Sequence, residues 1–413
     1  MLTISRLSRW SINYYNDTAN QAHAAAMDRQ SAGGGLGEYY SERDTRVPTW
    51  VVVGDTAAVG ELTGLDAAAL HGGFADTTVA ARWLDDGIAP NGASGRVFTT
   101  GSVHGFDLTF AAPKSVSLLR ALTDDIGEKT MLAAHQKGID AAMTYLHEHA
   151  GYTRVHNPVT GKKDLQRLPA LVGIAYQHET SRCGDPHLHT HVLVPNRQAR
   201  ADATLVSIDS KSLYHEAKAA GMIYQAVVRH ELHAAIASEW TPVDERTGMA
   251  EIAAVSTKCL KAWSQRSTRL RQWAHNNLVV VDGEPTAQQL AAAQKATRPA
   301  KPESKSWAEL KEDWRAAPRR ACWPTARRQL MRAAARRACC STAPGWRAWS
   351  RASTSPRLPA PTSWSWWARC CPWTRPGMRA RSSSRSLTWS GCGSARRARR
   401  TTAKDMKCSP WTR

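Results

Sequence analysis

Four histidines crowd one short segment, His178-Glu-Thr-Ser-Arg-Cys-Gly-Asp-Pro-His187-Leu-His189-Thr-His191. His189 and His191 lie in Leu188–Val194, an alternating run bounded by Asp185-Pro186 and Pro195-Asn196, which predicts a strand. Side chains two apart on a strand share a face, so these imidazoles stand about 6.6 Å apart along it and can converge on one ion. His187 shares the face but lies about 13 Å from His191 along the chain, too far to close a trio with bonds of about 2.1 Å. His178 ends the preceding apolar run, Ala170–Tyr176, and can reach in from a neighbouring strand. The favoured ligand set is His178, His189 and His191, with a plain surface or core histidine cluster as its rival. Three neutral imidazoles leave an ion its full charge and open positions, which suits polarising a phosphate oxygen. Arg182 either adds charge at the same site or is an ordinary surface arginine.

Two tyrosine pairs precede this segment, Tyr14-Tyr15 and, after Gly33-Gly34-Gly35, Tyr39-Tyr40. A phenol ionises near pH 10, so an attacking tyrosine needs a base or a nearby cation. Asp107 is a candidate base. Gly105–Phe110 alternates as a strand with Phe106, Leu108 and Phe110 inward, which puts Asp107 and Thr109 on the polar face. There Asp107 can accept from a tyrosine hydroxyl or from a metal-ligand imidazole. Ala111-Ala112-Pro113-Lys114-Ser115-Val116-Ser117 then turns into a helix, whose first N–H groups with Lys114 either hold a phosphate or simply begin the helix.

The elements that must position these residues are legible in outline. Residues 127–150 place Met131, Leu132, Ile139, Met143 and Leu146 at helical spacing, and residues 210–236 form a second long amphipathic helix with Ser210 or Ser212 as its cap. Residues 151–168 read as a hairpin around Asn157-Pro158-Val159-Thr160-Gly161, and residues 2–15 as a short amphipathic start. Strands and helices in mixed order predict an α/β (α+β) sandwich, a sheet with helices packed on one face. Residues 296–317 are polar and read as a linker or helix start.

The net charge of +20 misleads as an average. Residues 318–413 hold twenty-two Lys and Arg against one acid, Asp405, so the rest of the chain is about neutral and any DNA-binding charge there must be local. That segment carries nine of the seventeen Trp, seven of the nine Cys, and no Val, Ile, Phe or Tyr, so it lacks the residues that specify a core. It reads as a basic, disordered nucleic-acid arm or as an out-of-frame translation of a GC-rich gene. Trp and Cys are poor in disordered arms, which favours the second. No apolar run is long enough to span a membrane and none forms a signal-peptide core.

Taken in order, Met1-Leu2-Thr3-Ile4-Ser5, Tyr14-Tyr15, Phe106-Asp107-Leu108-Thr109-Phe110-Ala111-Ala112-Pro113-Lys114-Ser115-Val116-Ser117 and His178 through His191 resemble the MobF-type conjugative relaxases over about residues 1–290. The resemblance implies the HUH relaxase fold, a central antiparallel sheet bearing a histidine triad, helices behind it and a mobile C-terminal lid. It implies Tyr14 as the nucleophile with Tyr15 as its neighbour, Tyr39 and Tyr40 as a second pair with Tyr39 the agent of later strand transfer, and Asp107 as the acid assisting the tyrosine. His178, His189 and His191 would hold a divalent ion, Mg, Mn or Zn, while Lys114 and Arg182 would meet DNA. Further implications are hairpin or single-stranded DNA at a transfer origin, a type IV secretion coupling protein, relaxosome accessory proteins, and a bacterial cytoplasmic setting with passage into the recipient cell. The spacer before Tyr39 is longer than the pattern, and His187 stands where histidine is unusual. No Gly-x-x-x-x-Gly-Lys-Ser/Thr loop follows, so the expected chain nicks without unwinding: a relaxase domain at 1–295, a linker at 296–317 and the basic tail. A rolling-circle replication initiator shares the chemistry. An idle DNA-binding fragment and, more weakly, a zinc hydrolase are the other readings.

Overall fold

The computed structural model describes residues 1–17, 47–65, 70–280, 283–299 and 305–317. Tyr39, Tyr40, the Gly-rich segment and residues 318–413 lie outside the described residues. The chain divides into Met1–Trp346 and Arg347–Arg413, and every described residue belongs to the first unit.

The N-terminal part contributes β1 (Leu2–Leu7), β2 (Thr49–Gly54), α1 (Thr56–Thr63), β3 (His71–Phe74) and α2 (Thr77–Ala81), which runs into a π-helical turn at Arg82–Asp86. The middle contributes β4 (Gly105–Ala111), α3 (Lys114–Leu122), α4 (Asp125–Ala150), the hairpin β5 (Tyr152–His156) and β6 (Lys163–Arg167), β7 (Ala170–Thr180) and β8 (Pro186–Pro195). Then come the short strands β9 (Gln198–Ala199) and β10 (Leu205–Val206), and the helices α5 (Ser210–Ile236), α6 (Thr257–Ala262), α7 (Gln265–Asn277), α8 (Ala287–Ala296) and α9 (Trp307–Ala316).

Six strands form one antiparallel sheet in the order β1-β4-β8-β7-β2-β3. Strand alternation sorts its side chains. Phe106, Leu108 and Phe110 of β4 with Leu188 and Val192 of β8 enter one core, which α4 and α5 close with Met131, Ile139, Met143, Leu146, Tyr224 and Val228. These two long helices therefore cover one face. Gly138 lets them approach, since a Cβ there would come within 2.8 Å of the Tyr224 ring and of Val228. The opposite face carries a second core of Ile12, Tyr15, Trp50, Trp83, Ile174 and Tyr176, and beside it Asp107, Thr109 and the histidines.

One local expectation changes and one open alternative is decided. The cap of α5 is Asp209, whose carboxylate accepts from Ser212 N at 3.0 Å, because an ionised oxygen one step earlier outcompetes the serines for the free N–H. Within residues 296–317 the helix-start alternative is met: Ser306 and Glu309 form a capping box that starts α9, and Trp307 and Trp314 of that helix are buried in the core. Their indoles supply apolar area that a polar average conceals.

Candidate active site

The β7–β8 hairpin builds the histidine cluster. His178 pairs directly with His189, and His191, two residues on, projects from the same face. One nitrogen from each of these three lies within 4.8 Å of the others, and their rings stand 4.9 to 5.2 Å apart. His191 donates its Nδ1–H to Asp107, 2.9 Å from each carboxylate oxygen. His189 donates its Nδ1–H to the carbonyl of His187 at 2.8 Å. Each bond fixes a tautomer that leaves Nε2 as a lone pair for an ion. Enclosure, then the charge of His191, pulls the His189 pKa down to about 4, so it is neutral and fit to ligate near pH 7. His187 lies outside the trio, its ring stacked on His189 at 4.6 Å. Three neutral imidazoles with open positions fit a divalent transition ion and match Mg less well.

The tyrosine pair crosses this face on a helical turn over residues 13–17. Ile12, Tyr15 and Asn16, at i, i+3 and i+4, turn inward and are buried. Asn16 accepts from the Tyr176 hydroxyl at 2.7 Å, which fixes the turn. Tyr15 packs against Tyr176, His178 and His191 and donates its hydroxyl to Asp107 at 2.9 Å. Burial, then the negative charge of Asp107, pushes the Tyr15 pKa far up. Tyr14 points outward. Its hydroxyl accepts from Arg182 Nη2 at 3.3 Å, the guanidinium sits 5.7 Å from its ring centre, and the ring lies 6.4 Å from that of His178. Asp107 thus accepts from a tyrosine hydroxyl and from a ligand imidazole at once, the tyrosine being Tyr15, while Arg182 meets Tyr14.

The phosphate cradle expected at the start of α3 is occupied by protein. Glu251 accepts from Lys114 N at 3.2 Å, Ser115 N at 2.7 Å and the Ser115 hydroxyl at 2.5 Å. A carboxylate satisfies a helix N-terminus as an anion would. Lys114 Nζ donates to the carbonyl of Pro186 at 2.5 Å, tying α3 to β8 while lining the cavity. Glu251 was invisible to sequence reasoning because no motif links it to a helix more than a hundred residues earlier.

A cavity of about 1650 Å³ opens over the cluster, lined by Tyr14, Tyr15, Asp107 and the histidines on one side. Its other walls bring in Arg266 of α7, Lys295 of α8, Arg298 and Lys305, none of which the sequence singled out. With Lys114 and Arg182 they set six basic side chains around the cavity against four acids, Asp107, Glu179, Asp185 and Asp313, a modest local excess of positive charge. Behind β8, Arg120 pairs with Glu179 and Glu128 beneath the Trp307 ring, and Trp314 donates to the carbonyl of Gly184 at 2.8 Å, so α9 buttresses the β7–β8 turn.

A family model described as TrwC relaxase matches residues 11–321. The chain belongs to the TrwC relaxase family. Among curated proteins it is 32% identical over 252 residues to the multifunctional conjugation protein TraI of Escherichia coli and 30% identical to that of strain K12. Each match spans 58% of this chain but only 13% of TraI, so the chain corresponds to a small part of those relatives. Among solved structures, TrwC in complex with oriT DNA in a metal-bound form has a TM-score of 0.57 at 24% identity, covering 76% of this chain and 96% of that one. A copper-bound TrwC–oriT complex has a TM-score of 0.59 with the same identity, covering 76% and 97%. TrwC with a 27-mer bearing the recognition hairpin and cleavage site has a TM-score of 0.56 at 23% identity, covering 76% and 96%. These likenesses establish the fold. No helix among the described residues is long and apolar enough to cross a membrane.

Proposed function

We propose that this chain is a conjugative DNA relaxase that nicks and rejoins one strand at an origin of transfer by tyrosine transesterification. The observation that carries the reading is the exposed Tyr14 hydroxyl, bonded to Arg182, at the mouth of a three-histidine cluster in a TrwC-family fold. The TrwC structures with oriT DNA and with metal support DNA as substrate and a divalent ion at His178, His189 and His191. A bound ion would polarise a scissile phosphate oxygen as a Lewis acid. The neutral imidazole set favours Zn or another transition ion over Mg.

In this mechanism Tyr14 Oη attacks phosphorus, the bond to the 3′-oxygen breaks, and the phenolic proton is balanced by one taken up on the departing 3′-oxygen. The products are a 5′-phosphotyrosine link and a free 3′-hydroxyl, which can reverse the step, so no nucleotide is consumed. Arg182, bonded to the Tyr14 hydroxyl, would hold it at the mouth of the site and meet the scissile phosphate by its charge. Asp107 holds Tyr15 and orients His191. Tyr39 and Tyr40 remain the proposed second pair, and 1–295, 296–317 and 318–413 the proposed relaxase, linker and tail, with α9 joined to the first. Docking to a secretion coupling protein and relaxosome accessory proteins, and passage to a recipient cell, belong to the same reading.

The test is a covalent-adduct assay. Full-length protein, wild type and Tyr14→Phe, is mixed with labelled single-stranded oligonucleotides tiling the neighbouring element, with and without Mn or Zn. A metal-dependent, SDS-resistant band that disappears in Tyr14→Phe is the expected result. A folded protein that gives no band on any oligonucleotide overturns the reading.

A further inference from the structure

Trp10 stands where a tryptophan is costly twice over. Its backbone is left-handed, with φ of 66°, and its side chain is 60% exposed. Left-handed backbone is strained at a bulky residue, and an exposed indole forgoes burial. The other described non-glycine residues with positive φ are alanines, Ala203 in the turn between β9 and β10 and Ala237 at the end of α5. A glycine would serve the turn at residue 10 without strain. The conformation is nevertheless held firmly. Trp10 N donates to the buried carboxylate of Asp85 at 2.9 Å, Ser11 N to the Ser8 carbonyl at 3.2 Å, and Asn13 N to the Trp10 carbonyl at 3.2 Å. Strain maintained by surrounding bonds at the edge of a site points to use.

Its surroundings say what that use is. The Arg9 guanidinium lies 4.8 Å from the indole centre and 3.8 Å from Asp86, so a cation is packed on a solvent-facing ring. Leu7 and Ser11 on either side line the cavity over the histidines, and the Trp10 carbonyl opens the turn that delivers Tyr14. An open aromatic face beside an arginine is the combination that holds unpaired nucleotides, the ring stacking on a base and the cation meeting its phosphate.

We propose that Trp10, with Arg9, is a stacking platform for one unpaired base of the DNA strand close to the scissile phosphate, and that the chain keeps its strained backbone for this purpose. The proposal rests on the relaxase reading for the identity of the strand. Two measurements on full-length protein test it. In the first, an oligothymidine of about sixteen nucleotides with 5-iododeoxyuridine placed at successive positions is photocrosslinked, and the modified peptide is sequenced. The peptide carrying Trp10 is expected; crosslinks confined to other peptides overturn the platform. In the second, fluorescein-labelled oligothymidine is titrated with wild type, Trp10→Phe and Trp10→Gly. Trp10→Phe should bind within about twofold of wild type, and Trp10→Gly at least about fivefold more weakly, the loss of one stacked base. Trp10→Gly should also melt at or above the wild-type temperature, because strain is relieved. Wild-type affinity in Trp10→Gly, or a lower melting temperature, overturns the trade of stability for binding. Neither readout needs strand cleavage, so failure of the Tyr14 adduct assay is a separate outcome.

Discussion

The Tyr15 hydroxyl donates to Asp107 at 2.9 Å. The same carboxylate receives the Nδ1–H of His191, and Thr109 donates to it at 3.1 Å. One buried anion therefore fixes the inner tyrosine and orients a ligand imidazole together, and leaves the outer tyrosine to Arg182.

Asp107→Asn should weaken metal binding about ten- to a hundredfold, the usual effect of removing the group that orients a ligand histidine. Calorimetric titration of the variant with Zn or Mn measures it. Unchanged affinity would mean that His191 is held by other bonds.

Tyr15→Phe should still form the covalent adduct while losing about 1 kcal/mol of stability, the worth of a buried hydrogen bond. Urea unfolding and the adduct band report the two effects separately. If the band vanishes in Tyr15→Phe and survives in Tyr14→Phe, the assignment of the pair is reversed.

Arg182→Ala should slow adduct formation about tenfold, because the guanidinium that bonds the Tyr14 hydroxyl is also placed to meet the scissile phosphate. Arg182→Lys should restore part of the rate. An adduct rate unchanged in Arg182→Ala would leave Arg182 as a packing partner of the Tyr14 ring and no more.

His135 is fully buried behind β8, with Nδ1 2.6 Å from the Tyr224 hydroxyl and Nε2 2.8 Å from that of Thr190. Burial, then the charge of Arg120, pulls its pKa down to about 3. A base held neutral in the fold contributes its full stability above its unfolded value near 6.5 and loses it as pH falls toward about 3. Melting temperature should therefore fall on acidification through this window, and fall less steeply in His135→Gln. Parallel melting curves for the two proteins between pH 7 and 4 would assign the acid sensitivity to other groups.

Trp314→Ala should cost about 3–5 kcal/mol, since it empties a buried site and leaves the Gly184 carbonyl without its indole donor. Chemical unfolding measures this. A loss under 1 kcal/mol would show α9 to be an appendage of the fold.

The parts of the site that follow from local periodicity were readable in the chain. Alternation in Leu188–Val194 put His189 and His191 on one face, and alternation in Gly105–Phe110 put Asp107 on the polar side. The same spacing logic located α4 and α5, whose inward residues recur at helical intervals. What escaped depends on packing between distant segments. Ile12 and Asn16 decide which tyrosine turns inward, but only once Tyr176 is beside them. Glu251, in the segment between α5 and α6, reaches the start of α3, and Arg298, just past α8, reaches the cavity, through docking that no local pattern encodes. Asp209 took the cap from two serines because its carboxylate reached Ser212 N first.

The pairing of His178 with His189 across one tight turn has a consequence for how the protein assembles. Both ligand-bearing strands are neighbours in sequence, so they pair with little loop-closure cost, whereas the tyrosine segment must come in from the N-terminal end of the chain. The cluster should thus mature early and the nucleophile arrive late. A molecule caught between these stages would carry the paired histidines without a tyrosine in place beside them.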